Sequence, residues 1–168
     1  MGLQVKKIQE KFWKRAWIIK NLKRSGLPEE DLIFFYKTLV CPVLDFTAPV
    51  YHSMLTLTQS EALERLQRNM VKLICGYGKS YAEILEKHDL QTLAERRQSL
   101  VDKFALKAAD CPRFGPKWFP RKPPSNYGLR DQDKYQTYTA RTERMKKSPV
   151  YHMRARLNAI NRLAEAAV

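Results

Sequence analysis

The sequence predicts an all-α protein, on the basis of helical periodicity, helix-capping motifs and the lack of strand patterns. Apolar residues recur three and four positions apart along most of the chain, and no segment alternates apolar and polar residues for long enough to build a sheet. We predict three capping boxes, at Thr58 with Glu61, Ser80 with Glu83 and Thr92 with Glu95. We therefore expect a bundle of about five helices, followed by an extended Pro-rich basic arm and a short C-terminal helix.

The first two helices are predicted from periodicity and from residues that favour helix ends. An amphipathic helix begins near the N-terminus and ends near Gly26. A second helix begins at Pro28, whose fixed φ suits a first helical turn, and it is apolar nearly all round. We expect it to be the most buried helix. Pro42 and Pro49 interrupt the next segment, which is either a kinked continuation or two short helical pieces.

Three further helices come after the three capping boxes. The helix after Thr58 has an inward-facing set of residues and is closed by glycine; these residues are Leu63, Leu66, Met70 and Leu73, with Gly76 and Gly78 after them. A short helix comes after Ser80. A longer helix comes after Thr92, with a helical apolar pattern through Leu93, Leu100, Val101 and Phe104.

The composition changes after Cys111. The stretch CPRFGPKWFPRKPPSNYGLR contains five of the nine prolines and interleaves basic residues with aromatic ones. We interpret it as an extended arm and divide the chain into a helical bundle at 1–111 and a basic arm with a C-terminal tail at 112–168. Trp118 in this arm is able to stack on an exposed base or to pin the arm onto the helical core, and the two roles are compatible.

Positive charge is concentrated at the two ends of the chain. Residues 1–24 carry eight basic residues and one acidic residue, and 112–168 carry thirteen and four, whereas 25–111 carry ten and twelve. A near-neutral core between two basic segments is expected when those segments face a polyanion. The alternative is that the excess charge only keeps the surface soluble.

The residues do not predict an enzyme or a metal site. Cys41, Cys75 and Cys111 form no CxxC pair, and neither they nor the three histidines have metal-ligand spacing, so we expect buried thiols, a reducing compartment, no metal and no cofactor. Asp45 and His52 are close in sequence, but a structural role is the simpler interpretation. Lys or Arg breaks the apolar runs, so we also expect no membrane span.

Several blocks of the chain resemble one family of polymerases. They are LKRSGLPEEDLIFFYKTLVCPVLDFTAPVYH, LTQSEALERLQRNMVKLICG, YAEILEKHDLQTLAERRQSLVDKFALKAADCPRF with WFP, and YTARTERMKKSPVYHMRARLN. In this order they resemble the region after the palm in reverse transcriptases of jockey-like non-LTR retrotransposons (LINE elements). The resemblance extends from about Lys14 to Asn158.

The resemblance implies a helical thumb that grips template RNA and growing cDNA without chemistry of its own. The tyrosine-aspartate-aspartate motif of the palm and the Cys/His zinc knuckle of some elements do not occur in this sequence. The phosphate contacts that we expect by resemblance lie in the first helix (Lys7, Lys11, Lys14 and Arg15), in the third helix (Arg68 and Lys72) and in the tail (Arg121, Lys122, Arg141, Arg144, Lys146 and Lys147).

The expected partners are therefore RNA, an RNA–DNA hybrid or single-stranded DNA, and a polymerase palm supplied in trans. The resemblance implies nuclear action within the cell. Two other hypotheses stay open: a helical module that binds a protein or a second copy of itself through the face that a palm would cover, and a retroelement remnant without a selected function.

Overall fold

The computed structural model describes residues 2–123 and 133–166. Helices account for 75% of these residues and no β-strand occurs among them, which confirms the all-α prediction. The helices are α1 (Gly2–Arg24), α2 (Glu29–Phe35), α3 (Cys41–Asp45), α4 (Ala48–Tyr51), α5 (Leu57–Cys75), α6 (Tyr81–Lys87), α7 (Leu93–Asp110), α8 (Gly115–Trp118), α9 (Glu143–Lys146) and α10 (Pro149–Ala166). A π-helical stretch, Tyr36–Val40, joins α2 to α3, and a 3-10 turn, His52–Met54, comes after α4.

The chain forms two compact units. The first unit comprises Met1–Ala48 and Leu55–Arg97, and the second comprises Pro49–Met54 and Gln98–Val168. The division thus falls inside α7 and differs from the sequence-based boundary after residue 111. The reason is that the second half of α7 contributes Val101 to a core shared with the arm and α10.

The core of the first unit forms where α1 packs against α5 and α3. Phe12 and Ile19 lie seven residues apart on α1, so they point to the same side, and both are fully buried. Leu63 and Val71 of α5 are buried as well. The lysine and arginine residues of α1 are all exposed, as expected for an amphipathic helix.

A buried hydrogen-bond network connects three helical segments of the first unit and the segment before α7. Gln67 on α5 is fully buried, and its Oε1 accepts a hydrogen bond from the Tyr36 hydroxyl at 3.0 Å. Its Nε2 donates to the Tyr81 hydroxyl and to the Gln91 carbonyl, both at 2.9 Å. Tyr81 in turn donates to Glu64 Oε1 at 2.7 Å. All polar groups of the Gln67 side chain are therefore used, as burial requires.

Glu64 also binds the N-terminus of α7. Its carboxylate accepts from the backbone amides of Leu93 and Ala94, each at 3.2 Å. These amides have no partner within the helix, and a negative charge there is favourable. The predicted Thr92–Glu95 capping box is also present: each side chain accepts a hydrogen bond from the backbone amide of the other residue, at 3.3 and 3.1 Å.

The helix that contains Pro42 continues because its hydrogen-bond pattern changes before the proline. Within Tyr36–Val40 the bonds are of the wider π type, and the Cys41 amide donates to the Tyr36 carbonyl. The Thr38 hydroxyl donates to the Phe34 carbonyl at 2.9 Å. Of the two alternatives predicted for this segment, a helix that continues through Pro42 with altered geometry is therefore correct. The chain then turns, and Pro49 lies in the separate short helix α4.

The capping box predicted at Thr58 and Glu61 is wrong. Helix α5 begins two residues earlier, where the Thr56 hydroxyl and the Gln59 amide group each accept from the other's backbone amide at 3.2 Å. The sequence contains two overlapping copies of the same pattern, and only the first starts the helix. The capping box at Ser80 and Glu83 and the closing Gly76, which has φ 96°, are confirmed.

The predicted burial also needs correction at some aromatic positions. Phe34 on α2 and Phe104 on α7 are exposed. The second helix is therefore not buried on all sides, although Leu32 and Ile33 are. Leu73 on α5 is only half-buried.

The described part of the predicted arm, residues 112–123, is folded rather than extended, and the rest of the predicted arm lies outside the described residues. Residues Gly115–Trp118 form α8, and Phe119 is buried in a cluster with Met153 and Leu157 of α10. A side chain at Gly115 would collide with the Ala109 carbonyl, so α8 lies close against the end of α7. Helix α10, which supplies Met153 and Leu157 to this core, is 18 residues long and not the short helix expected.

One segment is more apolar than the sequence analysis predicted. Residues Glu29–Met54, a succession of short helical segments, are together long and apolar enough to cross a membrane by length and composition, with a mean hydropathy of 1.3 in the most apolar window. Lys37 and Asp45 are the only charged residues between Leu32 and Tyr51. The expectation that basic residues break every apolar run is thus wrong here. Several residues of this stretch lie in the core of the first unit, including Tyr36, Val40 and Leu44.

We predict that Glu64→Ala destabilises the first unit by about 2–3 kcal/mol. The change removes the hydrogen bonds to Tyr81 and to the first turn of α7. Glu61→Ala, an exposed glutamate on the same helix, is the matched control and should change the free energy of unfolding by less than about 0.5 kcal/mol. Urea denaturation followed by circular dichroism measures both values, and equal effects of the two substitutions would contradict the capping role.

Candidate nucleic-acid interface

Three of the predicted phosphate contacts line one groove of the first unit, which we call the cationic groove. Its lining residues come from α1, from α3 and from the turn after α3: Gln4, Lys7, Ile8, Lys11, Arg15, Pro42, Val43 and Phe46. None of these described lining residues is acidic. Phe46 is 69% exposed and offers an aromatic ring beside the cations.

The helical repeat of α1 explains the alignment of the cations. Lys7, Lys11 and Arg15 recur every fourth residue and therefore lie on one side of the helix, about 6 Å apart along its axis. The Arg15 guanidinium also donates to the Leu39 carbonyl at 2.6 Å, which fixes its position relative to the segment opposite. The groove thus has one anchored arginine and two lysines that face solvent.

The other predicted contacts of the first unit lie elsewhere. Lys14 is exposed on α1 but does not line the cationic groove. On α5, the Arg68 guanidinium lies over the Tyr81 ring, 5.2 Å from its centre, and Lys72 is half-buried. The structure therefore brings together three of the six residues predicted in this unit.

A second groove of the first unit is lined by exposed aromatic residues, and we call it the aromatic groove. It lies between α1 and α5 and is lined by Trp13, Ala16, Trp17, Lys20, Asn69, Met70, Leu73 and Tyr77. Trp13, Trp17 and Tyr77 are 55%, 64% and 75% exposed. The lining of this groove was not predicted from the sequence. The signal was present, since the apolar face of α1 is wider than one packed helix can cover.

In the second unit, Trp118 is held in the folded arm. Its ring lies 4.9 Å from that of Phe114, and it packs against the core cluster. Its carbonyl accepts a hydrogen bond from Arg154 Nε at 2.5 Å. These contacts support the pinning role of the arm aromatics. Arg121, three residues on, is exposed, and Lys122 is half-buried.

The remaining tail candidates lie around α9. Arg141, Arg144, Lys146 and Lys147 are all exposed. Lys146 forms an exposed ion pair with Glu143 at 2.8 Å. The Lys147 carbonyl accepts from the Ser53 hydroxyl at 2.9 Å. Most of this charge faces solvent.

Several carboxylates form ion pairs with arginine. Asp45 Oδ1 lies 2.8 Å from Arg96 Nε, and Asp102 makes two hydrogen bonds with the Arg156 guanidinium, at 2.7 and 3.0 Å. Burial raises the pKa of Asp45, against the opposing effect of Arg96. His52, which the sequence placed near Asp45, has its Nε2 3.0 Å from Gln98. These contacts give both residues structural partners.

Sequence reasoning missed one cluster of potential ligand side chains. Glu29, Cys75 and His88 meet where α2 begins and where α5 and α6 end. Motif spacing could not reveal them, because the first two lie 46 positions apart and belong to different helices.

Comparisons with known proteins give no relative for this chain. No family model, no curated protein and no solved structure matches it. The cationic groove, the aromatic groove and the exposed tail cations are therefore the basis for assigning a function.

We predict that Asn158→Ala loosens the segment that begins at residue 133. Asn158 is buried on α10, accepts from the Tyr135 amide at 2.9 Å and donates to the Tyr135 carbonyl at 3.0 Å. Loss of both bonds should lower local stability by about 2 kcal/mol and raise hydrogen exchange at the Tyr135 amide on the order of 30-fold. Leu163→Ala, exposed on the same helix, should leave this exchange unchanged, and unaltered protection in Asn158→Ala would refute the assignment.

Proposed function

We propose that this chain binds nucleic acid through the phosphate backbone, with the cationic groove as the main contact. The observation that carries the proposal is the row of three cations on α1 that lines one groove together with an exposed aromatic ring and without an acidic neighbour among the described lining residues. Such a groove follows a backbone by charge, while the ring offers a surface for base or sugar contact.

The proposal includes the role implied by the family resemblance. The chain corresponds to the thumb and following segment of a jockey-like LINE reverse transcriptase and holds RNA, an RNA–DNA hybrid or single-stranded DNA in the nucleus. It grips without catalysis. In support, Asp45 and Asp102 are engaged by arginines, so these two acids are not free to converge on divalent ions.

Binding is expected to depend on salt much more than on sequence. Each neutralised phosphate contributes about 0.9 to the slope of log affinity against log salt for a duplex and about 0.7 for a single strand. Dissociation constants of roughly 1–100 µM at physiological salt are typical of such non-specific binding. The tail around α9 adds further contacts of the same kind.

We predict that the triple variant Lys7→Ala, Lys11→Ala, Arg15→Ala lowers the salt slope by about 2–3. Fluorescence polarisation of a labelled RNA hairpin, an RNA–DNA hybrid and a single strand across a salt series measures this slope. The matched control removes three exposed cations of the second unit, Lys103, Lys107 and Lys117. An equal decrease of the salt slope in both variants would mean that net charge, and not the cationic groove, accounts for binding. The absence of binding at low salt would reject the proposal.

The aromatic groove favours a second candidate function, which is association with a protein. Its three exposed aromatic side chains form an apolar surface of the kind that protein partners cover. A palm supplied in trans or a second copy of the chain would bury Trp13 and Trp17. The two grooves share no lining residue, so substitutions can test them separately.

We predict concentration-dependent self-association that persists at high salt, since apolar contacts are not screened. Sedimentation velocity at a series of protein concentrations measures it. Trp13→Ser with Trp17→Ser should yield monomers, whereas Phe34→Ser, which removes an exposed aromatic residue from α2, should not. A monomer at every concentration would exclude the second copy as the partner.

A further inference from the structure

Three side chains of different metal-binding chemistry converge in the first unit. Glu29 begins α2, Cys75 ends α5 and His88 directly follows α6. Glu29 Oε1 lies 2.8 Å from His88 Nε2, and Cys75 Sγ lies 3.5 Å from the same nitrogen. All three donor atoms lie within 4.8 Å of one another.

The arrangement does not suit a nucleophilic triad. In a triad the histidine uses one ring nitrogen toward the nucleophile and the other toward the carboxylate. Here the thiol and the carboxylate both approach Nε2. One nitrogen cannot pass a proton between them, but donor atoms that converge on one point are what a bound cation requires.

One separation between donor atoms already matches a tetrahedral zinc site, and a second is about half an ångström shorter. Zinc bonds of about 2.0–2.1 Å to nitrogen and oxygen and about 2.3 Å to sulfur place neighbouring ligand atoms roughly 3.3–3.7 Å apart. The separation between sulfur and nitrogen already has this value. The separation between Glu29 and His88 must open by about half an ångström, which the Glu29 side chain allows because it is 28% exposed.

Two of the three ligand side chains are buried, and the third is partly exposed. Cys75 is 9% exposed and the His88 side chain 8%, so both ligands are held by the core. The more exposed Glu29 leaves a path for a water molecule as the fourth ligand. Thiolate and imidazole together select zinc over magnesium or calcium, which prefer oxygen ligands.

We propose that Cys75, His88 and Glu29 form a zinc-binding site that joins the start of α2 to the ends of α5 and α6. The site is separate from the cationic groove and independent of nucleic-acid binding. The ion replaces the thiol proton of Cys75, which is released to solvent, and the hydrogen bonds that now hold the three side chains together. Its effect is to fix the first unit, because the three ligands come from segments far apart in sequence.

Two lysines compete with the metal for the carboxylate. Lys87 Nζ lies 2.7 Å from Glu29 Oε1, and Lys79 Nζ lies 3.8 Å from Oε2. Lys87 donates this hydrogen bond to the same carboxylate oxygen that faces His88. The same ammonium group repels a divalent cation. Removal of Lys87 should therefore strengthen metal binding, a response that a purely structural ion pair would not give.

The test is a cobalt titration of the reduced, metal-free full-length chain, followed by competition with zinc. We expect one cobalt ion per chain, a sulfur-to-cobalt charge-transfer band, tetrahedral d–d bands and displacement by zinc. Cys75→Ser should abolish the charge-transfer band, whereas Cys111→Ser, which changes a cysteine of the second unit, should keep it. Absence of the band in the parent chain, or its loss in Cys111→Ser alone, would overturn the proposal.

Two further variants keep the test decisive if Cys75→Ser does not fold. Glu29→Gln should retain the charge-transfer band but weaken cobalt binding on the order of 10–100-fold. Lys87→Ala should tighten it, and circular dichroism shows whether each variant stays helical. Unchanged affinity in Glu29→Gln, or weaker binding in Lys87→Ala, would remove Glu29 from the site and refute the proposed ligand set.

Discussion

The first unit depends on the burial of one amide side chain, that of Gln67. An amide removed from water is unfavourable unless its oxygen and its nitrogen both find partners. The Tyr36 hydroxyl, the Tyr81 hydroxyl and the Gln91 carbonyl supply these partners. They come from the π-helical stretch, from α6 and from the segment before α7. The requirement to satisfy Gln67 therefore fixes three segments against α5 at once.

The network reaches the surface through Glu64. Tyr81 donates to this carboxylate, which also accepts from the first amides of α7. A charged group that would otherwise face water is thus used to fix where a helix begins. Because α1 packs against the same α5, the position of the cationic groove ultimately depends on how well α5 is held. The cationic groove therefore depends on the same contacts that hold the core of the first unit together.

Local signals in the sequence predicted the helix ends well, whereas side-chain partners far apart in sequence could not be predicted. The Ser80 and Thr92 capping boxes and the closing Gly76 depend on residues within one turn, and all are present. Glu64 lies four residues before Arg68 on α5, and this spacing is typical of an exposed helix face. Its true partners lie 17 to 30 residues away. The choice of Thr56 over Thr58 as the cap likewise cannot be made when both match the same pattern.

The lining of the cationic groove could likewise be predicted from the sequence only in part. The row of cations on α1 follows from helical spacing alone, but the opposite wall of the groove comes from Pro42, Val43 and Phe46, which only the fold brings there. The folded arm was missed because prolines and aromatics suggest an extended chain. The burial of Phe119 against α10 outweighs that tendency.

The π-helical stretch before Pro42 has a consequence for the length of this segment. A widened turn accommodates one residue more than an α-helical turn, and one residue rotates everything after it by about 100° around the helix axis. The number of residues in the segment before α3, together with their chemistry, therefore decides which face of α3 contacts α1. A shortened segment with the same composition would keep its apolar character and present a different wall to the lysines. The residues that α3 presents to the groove therefore depend on how far the helix is rotated around its axis.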